Sequence, residues 1–387
     1  MKTLAILPVA FLLTPLGFPL LASESSRENN GTSPEGMVLI PGGTFRMGGD
    51  SGLMDGGSQS HQSAYPVHEV TVDSFWIDEK PVTNQQFAEF VDATGYVTFA
   101  ERPLPEETIA EMQKMAEESI RELEKLAEGA TGRDKEGILD SIERIKEASK
   151  ATETYGSIVF VPPDSEIYNP NDITQWWRIE PGANWKTPNG PGSSWEDFAD
   201  HPVVNVTHED ATAYAEWTGK RLPTEAEWER AARGGHDHKM YVWGDEFAPE
   251  GEDFWMANIW QGEWPYGNTE EDGFHSTSPV GTFPPNDFGL YDMAGNVWEI
   301  TADLYHPRTF AMRFGTEVVN PTGPHPDAIA RLGQRVPTYV TKGGSFLCSA
   351  GWCSGYQPGS RQAFENDSPS NHTGFRTARD VQTEDPS

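Results

Sequence analysis

The stretch Lys342-Gly-Gly-Ser-Phe-Leu-Cys-Ser-Ala-Gly-Trp-Cys-Ser-Gly-Tyr356 holds both cysteines of the chain, Cys348 and Cys353, with four residues between them. That spacing suits no regular element. On a strand, residues five apart face opposite sides. On a helix they sit about 140° apart at 3.6 residues per turn. The sulfurs can meet only if the backbone bends, and Gly351 and Gly355 supply residues that accept φ > 0. The sequence therefore predicts a turn that converges two thiols.

Three uses of such a pair stay open on spacing alone. An exported protein keeps disulfides, but a loop this short is worth only about 2 kcal/mol, against about 4.7 for a 100-residue loop. A chain of 387 residues buries a large core without such a staple. A redox-active pair is the second use. The third is a soft-metal site: two thiolates suit Cu(I), whereas zinc wants four ligands and the chain has no second cysteine pair.

Compartment and charge narrow the class. Residues 1–23 carry Lys2, an apolar run and small residues at Ala22-Ser23, a signal-peptide pattern. Pro8, Pro15 and Pro19 interrupt the run, which is short for a membrane span. Residues 24–36 read as a flexible polar leader and 381–387 as a tail. The expectation is export to a periplasm or beyond, with no membrane attachment after cleavage. A formal net charge of -32 argues against nucleic-acid phosphates and is compatible with cations. With 13 Trp, 38 Gly and 30 Pro, the composition points to a loop-rich fold pinned by aromatics, not a helical bundle or doubly wound sheet.

Along the chain, Met37–Gly48 reads as strand, turn and strand, and His68–Asp78 as a single further strand. Thr83, Thr207 and Thr224 open three helices, stopped by Gly95, Gly219 and Gly234. In the first and third, Gln86 or Glu227 can return the cap bond. Between the first two lies a charged amphipathic hairpin of helices, 105–150, broken at Gly129-Ala-Thr-Gly132 and unlike its surroundings. It reads as an insertion. From Tyr241 to Asp303 the chain is mostly loops carrying oxygen ligands, among them Asn258, Glu271, Asp272, Asp292, Asn296 and Glu299. Calcium takes six to eight oxygens, yet ordinary Asx capping explains this pattern nearly as well.

Several stretches resemble the formylglycine-generating enzymes, or sulfatase-modifying factors. They are Arg221-Leu-Pro-Thr-Glu-Ala-Glu-Trp-Glu229, Ala257-Asn-Ile-Trp-Gln-Gly-Glu263, Glu271-Asp-Gly-Phe274, Gly289-Leu-Tyr-Asp-Met-Ala-Gly-Asn-Val-Trp-Glu299, Lys342-Gly-Gly-Ser345 and Thr373-Gly-Phe-Arg376. The resemblance spans residues 37–380 without the hairpin. Relatives lacking the activity share several of these stretches; the cysteine pair beside Gly-Gly-Ser is what discriminates. The resemblance implies an α+β fold, irregular and loop-rich, related to C-type lectins. It implies an enzyme that uses O2 to oxidise the cysteine of a Cys-x-Pro-x-Arg motif in an unfolded sulfatase to formylglycine. Cys348 and Cys353 would ligate Cu(I), with Ser345 near the substrate sulfur. Structural calcium would sit on Asn258, Ile259 (carbonyl), Asp272 and Phe274 (carbonyl), and again on Asp292, Gly295, Val297 and Glu299. Where many members carry basic residues between and after the cysteines, this chain has Ser349-Ala-Gly-Trp352, Gly355 and Gln357, and Thr377 stands where a cysteine often follows Gly-Phe-Arg.

Two alternatives belong to other classes. One is an exported binding module of the same fold, with a merely structural disulfide. The other is an iron-dependent sulfoxide synthase relative, whose histidine pattern the ten histidines of this chain do not reproduce.

Overall fold

The computed structural model describes residues 33–49, 63–150, 154–163, 167, 173–249, 255–333, 336–349 and 353–382. The signal peptide, most of the leader, Gly351 and most of the tail lie outside the described residues. Helix α1 spans Asn84–Thr94, α2 Glu106–Gly129, α3 Arg133–Lys150, α4 His208–Trp217 and α5 Glu225–Ala232. Thr83, Thr207 and Thr224 each accept a hydrogen bond from the third helical N–H of α1, α4 and α5. The return bond comes from Gln86 and Glu227, as the sequence indicates, and from Asp210 as well, whose Oδ2 accepts from Thr207 N–H at 2.8 Å. The helical hairpin forms from α2 and α3, which pack on each other, with Ala127 and Ile142 buried.

Strands are short: β1 Met37–Ile40, β2 Gly43–Met47, β3 His68–Val72, β4 Phe75–Asp78, β5 Ser157–Phe160, β6 Trp177–Glu180, β7 Trp298–Leu304, β8 Thr338–Lys342, β9 Gln362–Glu365, β10 Thr373–Gly374 and β11 Ala378–Asp380. They form sheets ordered β1-β4-β11 and β10-β7-β8-β9, and two ribbons, β2-β3 and β5-β6. The predicted single strand over His68–Asp78 is thus two strands in different sheets. The break is imposed from a distance. Gly42 N–H donates to Ser74 Oγ at 2.9 Å, and Asp73 N–H donates to Asn320 Oδ1 at 2.8 Å. Both contacts withdraw backbone from a continuous ladder.

The β7–β8 pair positions the cysteine turn. Glu299 at the start of β7 stands opposite Lys342 at the end of β8, and the chain leaves the sheet there. Beneath this exit lies α5, whose Glu225, Trp228 and Glu229 are all buried. Lys342 Nζ donates to Glu229 Oε2 at 2.9 Å, and Arg233 Nη2 donates to Glu229 Oε1 at 2.7 Å. Arg361 pairs with both oxygens of Glu225 at 2.6 and 2.9 Å. Trp228 Nε1 donates to Glu299 Oε2 at 2.7 Å, and Arg376 clamps both oxygens of Glu299 at 2.6 Å.

Two buried carboxyls near this exit, Glu229 and Asp303, are shifted in opposite senses. Burial pushes Glu229 up, but Lys342 and Arg233 outweigh it and hold the carboxyl down at about 2. Its contribution to stability is therefore present above the ordinary carboxyl range and lost as pH falls toward 2. Asp303 accepts a hydrogen bond from the Glu225 N–H, while burial, with the Glu225 charge adding, pushes its carboxyl up to about 7. The folded chain then holds a proton that the unfolded chain has released, so stability falls as pH rises from about 4 to about 7. Thermal melts against pH should show Asp303→Asn flattening the decline between about pH 4 and about pH 7, with the acid limb unchanged. A slope identical to wild type over that window contradicts the assignment.

Candidate active site

Cys348 and Cys353 are joined by a disulfide, with Cα atoms 4.8 Å apart. The bend that brings them together is held by Ser349 O, which accepts from Cys353 N–H at 3.0 Å and Ser354 N–H at 3.1 Å. Among the described residues that close the bend, the left-handed one is Ser354, φ 28°, not Gly355 as the sequence suggested. Gly355 is needed for space instead. A Cβ there would lie 2.5 Å from the Trp298 ring and 3.1 Å from Cys353 Sγ. At the other end, Gly344 has φ 71° and a Cβ would lie 2.5 Å from Tyr356 N. Ser345 is fully buried; its carbonyl accepts from Cys348 N–H at 2.9 Å and its hydroxyl from Leu347 N–H at 3.3 Å. Its visible work is to hold the entry to the turn.

The two sulfurs differ in access. Cys348 is buried and Cys353 is partly exposed. An aromatic wall stands beside them, formed by Phe160, Trp176, Trp260 and Phe346 with Leu347. It is tied to the turn by Trp260 N–H to Cys348 O and Trp264 Nε1–H to Leu347 O, both at 3.0 Å. On the far side Tyr356 is buried against Tyr241 and Phe247. The donor set fits a soft monovalent metal, because reduction would leave two thiolates on one braced turn. Among the described residues no cluster of three or more His, Cys, Asp or Glu is placed to hold a metal.

In the first predicted calcium set, Asp272 gathers the N–H groups of Ile259 and Phe274, while the two carbonyls expected as ligands, Ile259 O and Phe274 O, accept from the side-chain amides of Gln261 and Asn268. Asp272 Oδ2 accepts from Ile259 N–H at 3.2 Å and its Oδ1 from Phe274 N–H at 3.0 Å. Asn258 Oδ1 is buried without a partner, while its amide donates to Ser276 O at 2.8 Å. An orphaned buried oxygen beside a carboxylate that burial pushes above its ordinary pKa fits an oxygen-seeking cation. Gln261 belongs to this grouping and escaped the sequence reading: its amide donates to Ile259 O and its carbonyl accepts from Asp272 N–H. Its only signal was its place in the 257–263 stretch.

Of the second set, Asp292, Gly295 and Val297 lie on the bend that leads into β7 and Glu299 is the second residue of that strand. Burial pushes Asp292 up to about 6, against the Gly281 N–H at 2.7 Å, and Glu299 is already met by Arg376 and Trp228. The two sets therefore respond differently to mutation. Asp272→Asn should abolish the difference in melting temperature between calcium and chelator, a linkage worth about 2.7 kcal/mol at a hundredfold excess over Kd. Glu299→Gln should lower stability in both conditions by about 3–5 kcal/mol, since Arg376 stays buried without its carboxylate. Wild type that melts identically with and without chelator contradicts the cation reading.

Comparison with known proteins agrees with this architecture. The model of a sulfatase-modifying factor enzyme 1-like domain matches residues 22–381. The formylglycine-generating enzyme of Thermomonospora curvata is 42% identical, over 89% of this chain and 94% of that one. That of Mycobacterium tuberculosis is 39% identical, over 89% and 97%. An inactive Cα-formylglycine-generating enzyme 2 of Bos taurus is 36% identical, over 84% and 90%. Matched along nearly its whole length, the chain belongs to the sulfatase-modifying factor enzyme 1-like family.

Proposed function

We propose that this chain oxidises the cysteine of a Cys-x-Pro-x-Arg motif in an unfolded sulfatase polypeptide to formylglycine, with O2 as oxidant and Cys348 and Cys353 as copper(I) ligands. The observation that carries this reading is the pairing of two sulfurs on one braced turn, one buried and one partly exposed. Relatives named for that product support it. In balanced form, R–CH2–SH, O2, two protons and two electrons from an external thiol reductant give R–CHO, sulfide and water. Copper(I), when bound, supplies the redox chemistry toward O2. The protein's own residues do the rest. Cys353, at the exposed side, is the sulfur that an incoming polypeptide reaches first. Ser345 and the Gly344 bend hold Cys348 in place, and the aromatic wall limits water at the reacting sulfur. The disulfide is a resting form that must be reduced before metal enters. Calcium on the loop around Asn258 and Asp272 would brace the chain that runs on to Trp260, whose N–H donates to Cys348 O. Export through the 1–23 signal fits a disulfide-bearing chain in which no described helix is long and apolar enough to cross a membrane.

Incubation with Cu(I), O2, a thiol reductant and a Cys-x-Pro-x-Arg peptide, read by mass spectrometry, should show thiol-to-aldehyde conversion. Cys348→Ser and Cys353→Ser should each abolish conversion and tight Cu(I) binding while remaining folded, because so short a disulfide loop contributes only about 2 kcal/mol. A single variant that converts peptide at near wild-type rate overturns the two-sulfur reading. Wild type that leaves the peptide mass unchanged favours the non-catalytic alternative.

A further inference from the structure

A cleft of about 560 Å³ lies apart from the cysteine turn, with no residue of 342–356 in its lining. Its volume falls in the range of small-ligand sites, about 300–1,000 Å³. Three aromatic side chains line it, Trp255, Phe283 and Tyr291, together with Thr282 and the carboxylates of Glu271 and Asp272. Trp255 and Tyr291 are only half-buried, so a ligand can reach their rings. Each wall is held from behind. Trp255 packs edge-on against Phe247, centroids 5.9 Å apart, and Phe283 edge-on against Phe274 at 6.0 Å. Tyr291 is pinned through its backbone: its N–H donates to Glu79 O at 3.0 Å and its carbonyl accepts from Arg376 Nη2 at 2.8 Å.

The two carboxylates are not equivalent. Asp272 gives an oxygen each to the Ile259 and Phe274 N–H groups and belongs to the calcium set. Glu271 is exposed, and among the described residues only its Oε1 is engaged, by the Thr269 hydroxyl at 3.1 Å. A carboxylate has about four acceptor positions, so most of its capacity faces outward. The chain itself shows what the aromatic surface attracts. Lys80 lies along the rim, where a Cβ on Gly281 would meet its Cε at 2.7 Å, and its Nζ stands 5.1 Å from the centroid of the Tyr291 ring. A cation within about 6 Å of a ring face is drawn by the ring quadrupole. Lys80 is exposed and makes no ion pair among the described residues, so the ring alone holds its ammonium there.

Reachable aromatic faces beside an open carboxylate suit a guanidinium. That group is planar, stacks on rings, is less hydrated than an ammonium and pairs with a carboxylate through two parallel bonds. We propose that this cleft binds the guanidinium of an arginine, stacked against its aromatic walls and paired with Glu271, with Lys80 as an internal competitor for the Tyr291 face. The inference is independent of the thiol chemistry.

The test is a ligand titration followed by saturation-transfer NMR in calcium-containing buffer. The probes are N-acetyl-arginine amide, its uncharged isostere N-acetyl-citrulline amide, and free L-arginine. The capped arginine should bind saturably and the citrulline at least about fivefold more weakly, since it lacks the charge that the rings and Glu271 hold. Glu271→Gln should weaken the capped arginine about fivefold, while Lys80→Met should tighten it about threefold by removing a like charge and freeing the ring. Both side chains are exposed, so both variants should melt as wild type does. The free and capped forms separate the two sources of a guanidinium: whichever binds more tightly names a free amino acid or a polypeptide as the ligand, and either order supports the site. Three results overturn the inference: no saturable binding to wild type, citrulline binding as tightly as arginine, or both variants binding within experimental error of wild type. Reversed signs, with Glu271→Gln tightening and Lys80→Met weakening, would make the cleft an anion site and overturn it equally.

Discussion

A lysine with no exposed side chain carries the exit of the chain toward its two cysteines. Burial pushes the Lys342 ammonium below its ordinary pKa; Glu229, 2.9 Å away, opposes this most, and Glu229 in turn is shared with Arg233 and the Gly48 N–H. Removing one member of such a pair costs about 3–5 kcal/mol, because the remaining charge has no water to return to. Against a total stability of about 5–15 kcal/mol, that is a large fraction. The pair therefore pins the end of β8 to α5, and Gly343, Gly344 and Ser345 follow from a fixed point.

The same short helix repeats the arrangement on neighbouring positions. Glu225 takes Arg361, and Trp228 takes Glu299 with its Arg376. A Cβ on Gly343 would lie 3.0 Å from the Trp228 ring, so the backbone after Lys342 runs directly over the helix. The turn that follows is then fixed between Trp298 below Gly355 and Tyr356 behind Gly344. Two sulfurs held this way can face a substrate without the turn itself being a regular element. In such a loop-rich molecule, buried charge and aromatic packing supply the rigidity that long helices and strands supply elsewhere.

What the sequence disclosed follows the range of the interactions. The return bond from Asp210 to Thr207 was missed; the capping boxes at Thr83 and Thr224 and the cap at Thr207 are local, three residues across, and were legible. So was the hairpin, whose apolar spacing is self-contained, and so was the bend at Cys348 and Cys353. The break at Asp73-Ser74 was not, because Gly42 and Asn320 impose it from 32 and 247 residues away. The hub was not legible either: Lys342, Arg361 and Arg376 find carboxylates 113, 136 and 77 residues away, and in sequence they look like any surface charges. Gly355 was read correctly as special and for the wrong reason, since steric room for Trp298 leaves no mark on the local pattern. Thr377, at the place where a cysteine often follows Gly-Phe-Arg, is fully used: its N–H and hydroxyl both donate to Asp78 Oδ2.

The central claim is that the Lys342–Glu229 pair holds the cysteine turn in place. Amide hydrogen exchange over residues 342–349 in Glu229→Gln tests it most directly, read against the β1–β4 sheet of the same protein. The account predicts that the amides of Phe346 and Cys348, which bond Asn296 O at 3.0 Å and Ser345 O at 2.9 Å, lose protection while that sheet keeps its own. A folded variant whose 342–349 amides exchange as slowly as wild type would contradict it.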